Sequence, residues 1–385
     1  MTTYTRRQPL PPRTFFLFGP RGTGKTTWLR QQLEDARWYN LLHEAQLLQM
    51  LREPAQLTRE VEHLPKGSWV VIDEVQRAPA LLDEVHDLIS RRSDLRFALT
   101  GSSARKLRRG QGNLLAGRAL TKQFFPLVAS EFGTEVAIDE LLSYGCLPAV
   151  CAEKNLSLRV ELLEAYGQTY LTEEIRAEAV VKNLSSFVRF LEVAALMNGQ
   201  VTNVSAIARD AAVARPTVQG YFDVLVDTLI GTWLPAYRPR AKVKEVAHPK
   251  FYFFDAGVVR CLSRRLREPL EAAERGPLFE TYLLHELRAH INDTGCGGDL
   301  AYWRTPSGTE VDFIWSRGSQ RTAIEAKATT RWRPEEARGL KEMIEQSPST
   351  KAFAVYLGSV ALKHDGIEVL PVKQFLQRLG KGEIL

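Results

Sequence analysis

The chain has 385 residues, of which 44% are hydrophobic and 25% charged, with a formal net charge of +6. That length exceeds what one hydrophobic core usually supports, so two or three domains are expected, and the apolar run at 15–18 is far too short for a signal-peptide core or a membrane span. Four cysteines without a C-x-x-C pair read as free thiols of a reducing cytoplasm, not as a disulfide framework or zinc site, while the positive balance weakly favours a polyanionic partner.

Residues 1–13 are polar, hold three prolines and read as an irregular arm. The apolar run Phe15, Phe16, Leu17, Phe18 then meets Gly19, Pro20, Arg21, Gly22, Thr23, Gly24, Lys25, Thr26 and Thr27. This is strand, glycine-rich turn and helix in the order G-x-x-x-x-G-K-[ST]. Backbone N–H groups of such a turn curl around phosphates, and the helix that follows points its N-terminus at the same charge. Lys25 can neutralise a β- or γ-phosphate oxygen, and the Thr26 hydroxyl is placed to ligate Mg²⁺. ATP and Mg²⁺ are therefore the expected cofactors.

A helix over 27–34, a short strand at 38–41 and a helix over 57–64 lead to Trp69, Val70, Val71, Ile72, Asp73 and Glu74. A continuous apolar strand ending in two acids fits a buried parallel strand, whose carboxyl end is where ligands gather. Asp73 would hold Mg²⁺, and Glu74 would polarise the attacking water. After a helix over 83–90 comes the strand and turn 95–103. There Thr100, Ser102 or Ser103 either contacts the γ-phosphate or water, or caps a helix. Arg118 is a candidate arginine finger, since one guanidinium can meet two developing phosphoryl charges. Whether it serves its own site, a neighbour's or neither stays open in the sequence.

These motifs, together with Phe125, Pro126, Leu127 and Glu131, Phe132, make residues 14–135 resemble the prokaryotic AAA-family P-loop ATPases. The resemblance implies a parallel α/β sheet and ATP hydrolysis. No second, sensor-2 type arginine motif is evident.

Residues 136–265 are helical in pattern. Two adjacent helices, 204–210 and 215–225, read as a helix-turn-helix, with Pro216 suited to a first turn and a wing hairpin expected over 243–254. Arg215, Thr217 and Gln219 would lie near the leading end of the second helix, where bases or phosphates can be met. That helix lacks a dense basic face, so a protein-contact role is the alternative. The aromatic strand Lys250, Phe251, Tyr252, Phe253 reads as packing between domains.

Residues 267–277 read as a loop-like boundary opening a third segment, 266–385. It holds a helix over 278–287 carrying Glu280, a strand at 300–305, and the strands 310–315 and 321–328. Strand alternation puts Glu310 with Asp312 on one face, and Glu325 with Lys327 likewise. Such a set suits metal-dependent phosphodiester hydrolysis. Asp312 and Glu325 would bind metal, Glu280 would add a contact, and Lys327 would orient water or steady the oxyanion. A salt-bridged sheet face is the competing reading. The set resembles the PD-(D/E)xK nuclease superfamily, which implies a restriction-endonuclease-like α/β domain.

The expected whole is a cytoplasmic Mg²⁺-dependent ATPase with a winged-helix middle and a nuclease-like end, and with no membrane association. DNA or RNA, a regulatory protein or further copies of the chain are its expected partners. The alternatives are an ATP-regulated metal-dependent nuclease and a nucleotide-gated DNA- or protein-binding module that does not cut.

Overall fold

The computed structural model describes residues 4–102, 115, 117–133, 136–167, 183–238 and 248–385. The chain divides into two compact units. One is Arg6–Pro126 with Asp227–Ile230; the other holds Leu127–Val226 and Gly231–Leu385, so the segments 136–265 and 266–385 belong to a single unit.

The first unit is a five-stranded parallel sheet of β1 (Phe15–Phe18), β2 (Arg37–Asn40), β3 (Trp69–Asp73), β4 (Arg96–Gly101) and β5 (Leu120–Gln123), in the order β2-β3-β4-β1-β5. Alternate residues of the strands feed two separate cores. Phe16, Val70, Ile72, Phe97 and Leu99 enter one with the helices α2 (Glu44–Arg52), α3 (Gln56–Val61) and α4 (Leu81–Arg91). Phe15, Leu17, Val71 and Ala98 enter the other with Trp28 and Leu29 of α1 (Lys25–Gln32). Burial on both faces explains why these strands read as unbroken apolar runs. Helix α2 escapes the sequence reading because its buried residues are only Leu47 and Met50, while Leu48 and Leu51 are exposed.

The second unit opens with the helices α5 (Ile138–Tyr144), α6 (Pro148–Ala152), α7 (Leu156–Ala165), α8 (Leu184–Leu196), α9 (Val204–Asp210) and α10 (Arg215–Asp227). Asn155, Asn183 and Asn203 each cap a helix by accepting backbone N–H groups of its first turn. Of the segment read as helical in pattern, residues 168–182 lie outside the described residues. Strands β6 (Gly231–Leu234) and β7 (Lys250–Phe253) pair antiparallel, Gly231 opposite Phe253. The expected hairpin over 243–254 is therefore corrected: its described strand pairs back to 231–234, and 243–247 lie outside the described residues. Phe222 of α10 packs its ring 4.7 Å from Phe251 and 4.8 Å from Trp233. A Cβ on Gly231 would lie 2.1 Å from the Phe251 ring, so only glycine lets the two strands close over this core. The aromatic side of β7 thus faces inward, and alternation turns Lys250 and Tyr252 to the other side.

Helix α11 (Ala256–Leu262) follows, capped by Asp255, and then α12 (Ala272–Thr294). The expected loop-like boundary at 267–277 is overturned in its second half. Glu271 and Glu274 form a capping box that starts α12 at Ala272, and Pro277 sits inside the helix. Strands β8 (Asp299–Arg304), β9 (Glu310–Arg317), β10 (Gln320–Lys327), β11 (Lys351–Tyr356), β12 (Leu362–His364) and β13 (Ile367–Pro371) form a mixed sheet ordered β12-β13-β11-β10-β9-β8. Helices α13 (Arg338–Gln346) and α14 (Val372–Gly380) accompany it; Leu340 and Met343 of α13 join its core, and Phe375 of α14 packs on Phe353. Among the described residues no helix is long and apolar enough to cross a membrane, and all four cysteines are free thiols.

Candidate functional site

The phosphate loop leaves the carboxyl end of β1 and is shaped by three glycines. Gly22 and Gly24 take positive φ of 80° and 92°, a region that disfavours a side chain. A Cβ on Gly19 would lie 2.3 Å from the Phe124 carbonyl oxygen, so that position needs glycine for close approach. Lys25 is buried and donates to the carbonyls of Gly19 (2.7 Å) and Pro20 (3.0 Å). The Thr23 hydroxyl donates to the Pro20 carbonyl at 2.9 Å, and Arg21 and Thr27 lie further out, half-buried and exposed. Arg6, from the arm read as irregular, donates to the Thr23 carbonyl at 2.7 Å and to the Phe125 carbonyl at 2.7 Å, with its guanidinium 4.2 Å from the Phe124 ring centroid. It pins the loop from behind, a role no local motif announces.

Strand β4 lies between β1 and β3, so the carboxyl ends of all three meet at the loop. The Thr26 hydroxyl donates to Asp73 Oδ2 at 2.8 Å. Thr100 donates to Asp73 Oδ1 and receives the Glu74 backbone N–H at 3.1 Å. Thr100, of the three hydroxyls named from sequence, therefore orients the acid; Ser103 lies outside the described residues. Glu74 has φ 63° and ψ 45°, a left-handed conformation that costs a glutamate roughly 1–2 kcal/mol. Its carboxylate accepts the Gln76 amide at 2.5 Å, and the same amide nitrogen donates to Ser102 Oγ at 3.2 Å. Gln76 was not singled out by sequence, because its reach to Glu74 depends on that left-handed turn.

The donor set fits a nucleoside triphosphate with magnesium: glycine cradle, buried lysine, and a threonine hydroxyl already in contact with an aspartate. Arg118 lies elsewhere. It precedes β5, whose Leu120 pairs with Phe15 at the amino edge of the sheet, whereas the loop follows Phe18 at the carboxyl edge. Arg118 contacts His86 and donates to Ser90 Oγ at 3.0 Å, both on α4. The structure does not bring it to its own phosphate loop.

In the second unit Glu280 on α12, Glu310 and Asp312 on β9, and Glu325 and Lys327 on β10 do converge. The antiparallel register that pairs Phe313 with Ile324 continues one step to bring Asp312 opposite Glu325. Asp312 Oδ2 accepts the Ala326 N–H at 2.8 Å, and Lys327 bonds Glu325 Oε1 at 2.6 Å. Burial raises the carboxyls of Glu280 (to about 7), Asp312 and Glu325, and the neighbouring acids add to the shift at Glu280 and Glu325. The expected metal set does not stand as such. Lys250 of β7 has its ammonium on Glu310, 3.4 Å from Glu280 and 3.9 Å from Asp312. Among the described residues no three His, Cys, Asp or Glu side chains are arranged to hold a metal ion. Glu280, Asp312 and Glu325 are thus members of an ionic cluster. Lys250 was read from sequence only as part of a packing strand, since nothing local in its neighbourhood signals carboxylates more than two dozen residues downstream.

Comparison with known proteins divides the chain in three. Residues 11–133 match the family described as AAA domain; residues 135–268 match a domain of unknown function, DUF8612, and 275–375 another, DUF4143. No curated protein matches the chain. Among solved structures, the Walker-type ATPase of Pyrococcus abyssi is 16% identical, with 65% of this chain covering 91% of that one at a TM-score of 0.44. The DNA clamp loader delta protein of Bacillus subtilis is 14% identical, with 56% of this chain covering 83% of that one at a TM-score of 0.26. Residues 11–133 thus carry both the family match and the phosphate-loop geometry of an AAA-type P-loop ATPase domain.

Proposed function

We propose that the chain is a cytoplasmic, magnesium-dependent ATPase whose turnover controls a nucleic-acid- or protein-binding remainder. The observation that carries this reading is the 2.8 Å bond from Thr26 to Asp73 beside Lys25 and the glycine cradle, with Glu74 next in the chain. Backbone N–H groups of the turn and Lys25 would hold the phosphates, and Thr26 and Asp73 would hold the ion. Bound magnesium supplies positive charge against the phosphate oxygens. Glu74 polarises the attacking water, and Thr100 keeps Asp73 in its rotamer through the bond to Oδ1. Lys25→Ala should abolish phosphate release and weaken nucleotide binding, whereas Glu74→Gln should abolish release and retain binding. Full turnover by both variants would sink the proposal.

For the remainder, the observation favouring nucleic acid is that Arg215, Thr217 and Gln219 are all exposed at the start of α10, while Val218 between them is buried. A winged-helix-like unit would present those three side chains outward. Binding of labelled DNA or RNA should weaken with salt, respond to ATP, and fall in Arg215→Ala with Gln219→Ala. Salt-independent binding, unchanged in that double variant, would point to a protein partner instead.

A further inference from the structure

The acid cluster of the C-terminal sheet is filled from outside it. Lys250 opens β7, upstream of every element that carries the acids, and its side chain is only 4% exposed. Its position is not incidental. Gly231 and the Phe222, Trp233 and Phe251 rings fix β7, and Tyr252, two residues on and on the same side, donates its hydroxyl to Glu280 Oε2 at 2.6 Å. The ammonium then lies among Glu280, Glu310 and Asp312. On the far flank Glu325, 7% exposed, has one oxygen on Lys327 and the other, Oε2, buried with no hydrogen-bond partner among the described residues.

Two ammonium groups, with the half-exposed Arg304 guanidinium 3.6 Å from Glu310 at the rim, thus face four carboxylates, and one buried acceptor is left over. A buried group of this kind needs a nearby positive charge, and the charge can come from a lysine or from a metal ion. The two compete for the same oxygens, because an ion bound between Glu280 and Asp312 would have to displace Lys250 Nζ.

We propose that Lys250 is the resident cation of this site, a tethered ammonium that excludes divalent ions from the C-terminal sheet while β7 is docked. It is an autoinhibitory contact: the ammonium occupies the carboxylate oxygens that a metal ion would need, and no three of the acids are arranged to hold one while it is there. The proposal is independent of hydrolysis at the phosphate loop.

The test is Mn²⁺ binding to the full chain, read by the electron paramagnetic resonance of the free ion. All chains carry Asp73→Asn, so that the phosphate loop does not contribute. The parent should bind Mn²⁺ at least tenfold more weakly than the Lys250→Ala chain, which should gain one site and lose it again on adding Glu325→Gln. Lys250→Arg should stay blocked. Mn²⁺ should also raise the melting temperature of Lys250→Ala and leave that of the parent unchanged. Lys250→Met, which keeps the apolar stem, carries the same expectation should the alanine variant not fold. A parent that binds Mn²⁺ at a site removed by Asp312→Asn overturns the proposal. So does failure of both the alanine and methionine variants to gain the ion, folded or not.

Discussion

Gln76 is the side chain through which the structure makes its sharpest separation between stability and turnover. Its amide nitrogen holds Glu74 Oε2 at 2.5 Å and Ser102 Oγ at 3.2 Å, while its carbonyl oxygen is buried with no partner among the described residues. Gln76→Leu, close in volume, would remove a bond to a charged group worth about 1.5–3 kcal/mol and a neutral one worth about 0.5–1.5 kcal/mol. It would also remove an orphaned acceptor whose burial costs about 1–3 kcal/mol. The lost bonds outweigh that gain by about 1 kcal/mol, so the melting temperature should fall by only a few degrees. Turnover should not be spared. Glu74 keeps its left-handed backbone but loses the group that aims its carboxylate, and a loss of about 1.5–3 kcal/mol in that alignment lowers kcat by roughly 10- to 100-fold. Nucleotide affinity should be unchanged, since Lys25, Thr26 and Asp73 make no bond to Gln76 among those described. Steady-state phosphate release, nucleotide titration and thermal melting on one preparation check all three. A kcat within twofold of the unmodified chain would refute the positioning role, and a collapse in nucleotide affinity would show that Gln76 shapes the pocket instead.

If Arg118 serves the phosphate loop of a second copy, Arg118→Ala should keep nucleotide affinity and lose turnover, and mixing it with Lys25→Ala chains should restore part of the rate. Full turnover by Arg118→Ala alone would remove the finger assignment. Gly19→Ala should lower stability by about 1–3 kcal/mol and weaken nucleotide binding, because its Cβ meets the backbone oxygen of Phe124; an unperturbed melt and affinity would show that β1 and β5 can yield there. Asp255 carries a pH signature. Burial raises its carboxyl from 3.8 to about 6, against the N–H groups of Cys146, Val258 and Gly257 that lower it. The fold therefore prefers the protonated acid, and that contribution is complete below about pH 4 and lost as pH rises through about 6. Two units at about 1.4 kcal/mol each give about 3 kcal/mol. Denaturant melts of the unmodified chain should lose that much between pH 4 and 7 relative to Asp255→Asn, and parallel curves would contradict the shift.

The first unit was legible because its signals are local. A strand buried on both faces is an unbroken apolar word, and the phosphate loop follows it within the same dozen residues. The acids at 310, 312 and 325 were legible as a set because period-two alternation survives into the folded sheet. What escaped depends on distance or on rare conformations. Arg6 acts across a hundred residues on Phe125; Gln76 acts through a left-handed glutamate; Lys250 acts on acids that follow it by 30 and more positions. Pro277 misled for a physical reason of another kind. Proline is favoured in the first turn of a helix, and here the capping box at Glu271 begins the helix earlier, leaving the proline inside.

The strand bearing Lys250 also changes what counts as a separable part of this chain. The edge strand β8 is stitched to the preceding segment by Tyr302, whose N–H donates to the Pro235 carbonyl at 2.9 Å and whose hydroxyl bonds the His248 carbonyl at 2.5 Å. A fragment cut at the sequence boundary near 266 would lose those partners and the one cation its carboxylates share with β7. Recombination of such C-terminal segments between chains therefore has a hidden parcel: the donor must bring a lysine-bearing strand that lies before the junction, or the recipient must already supply one.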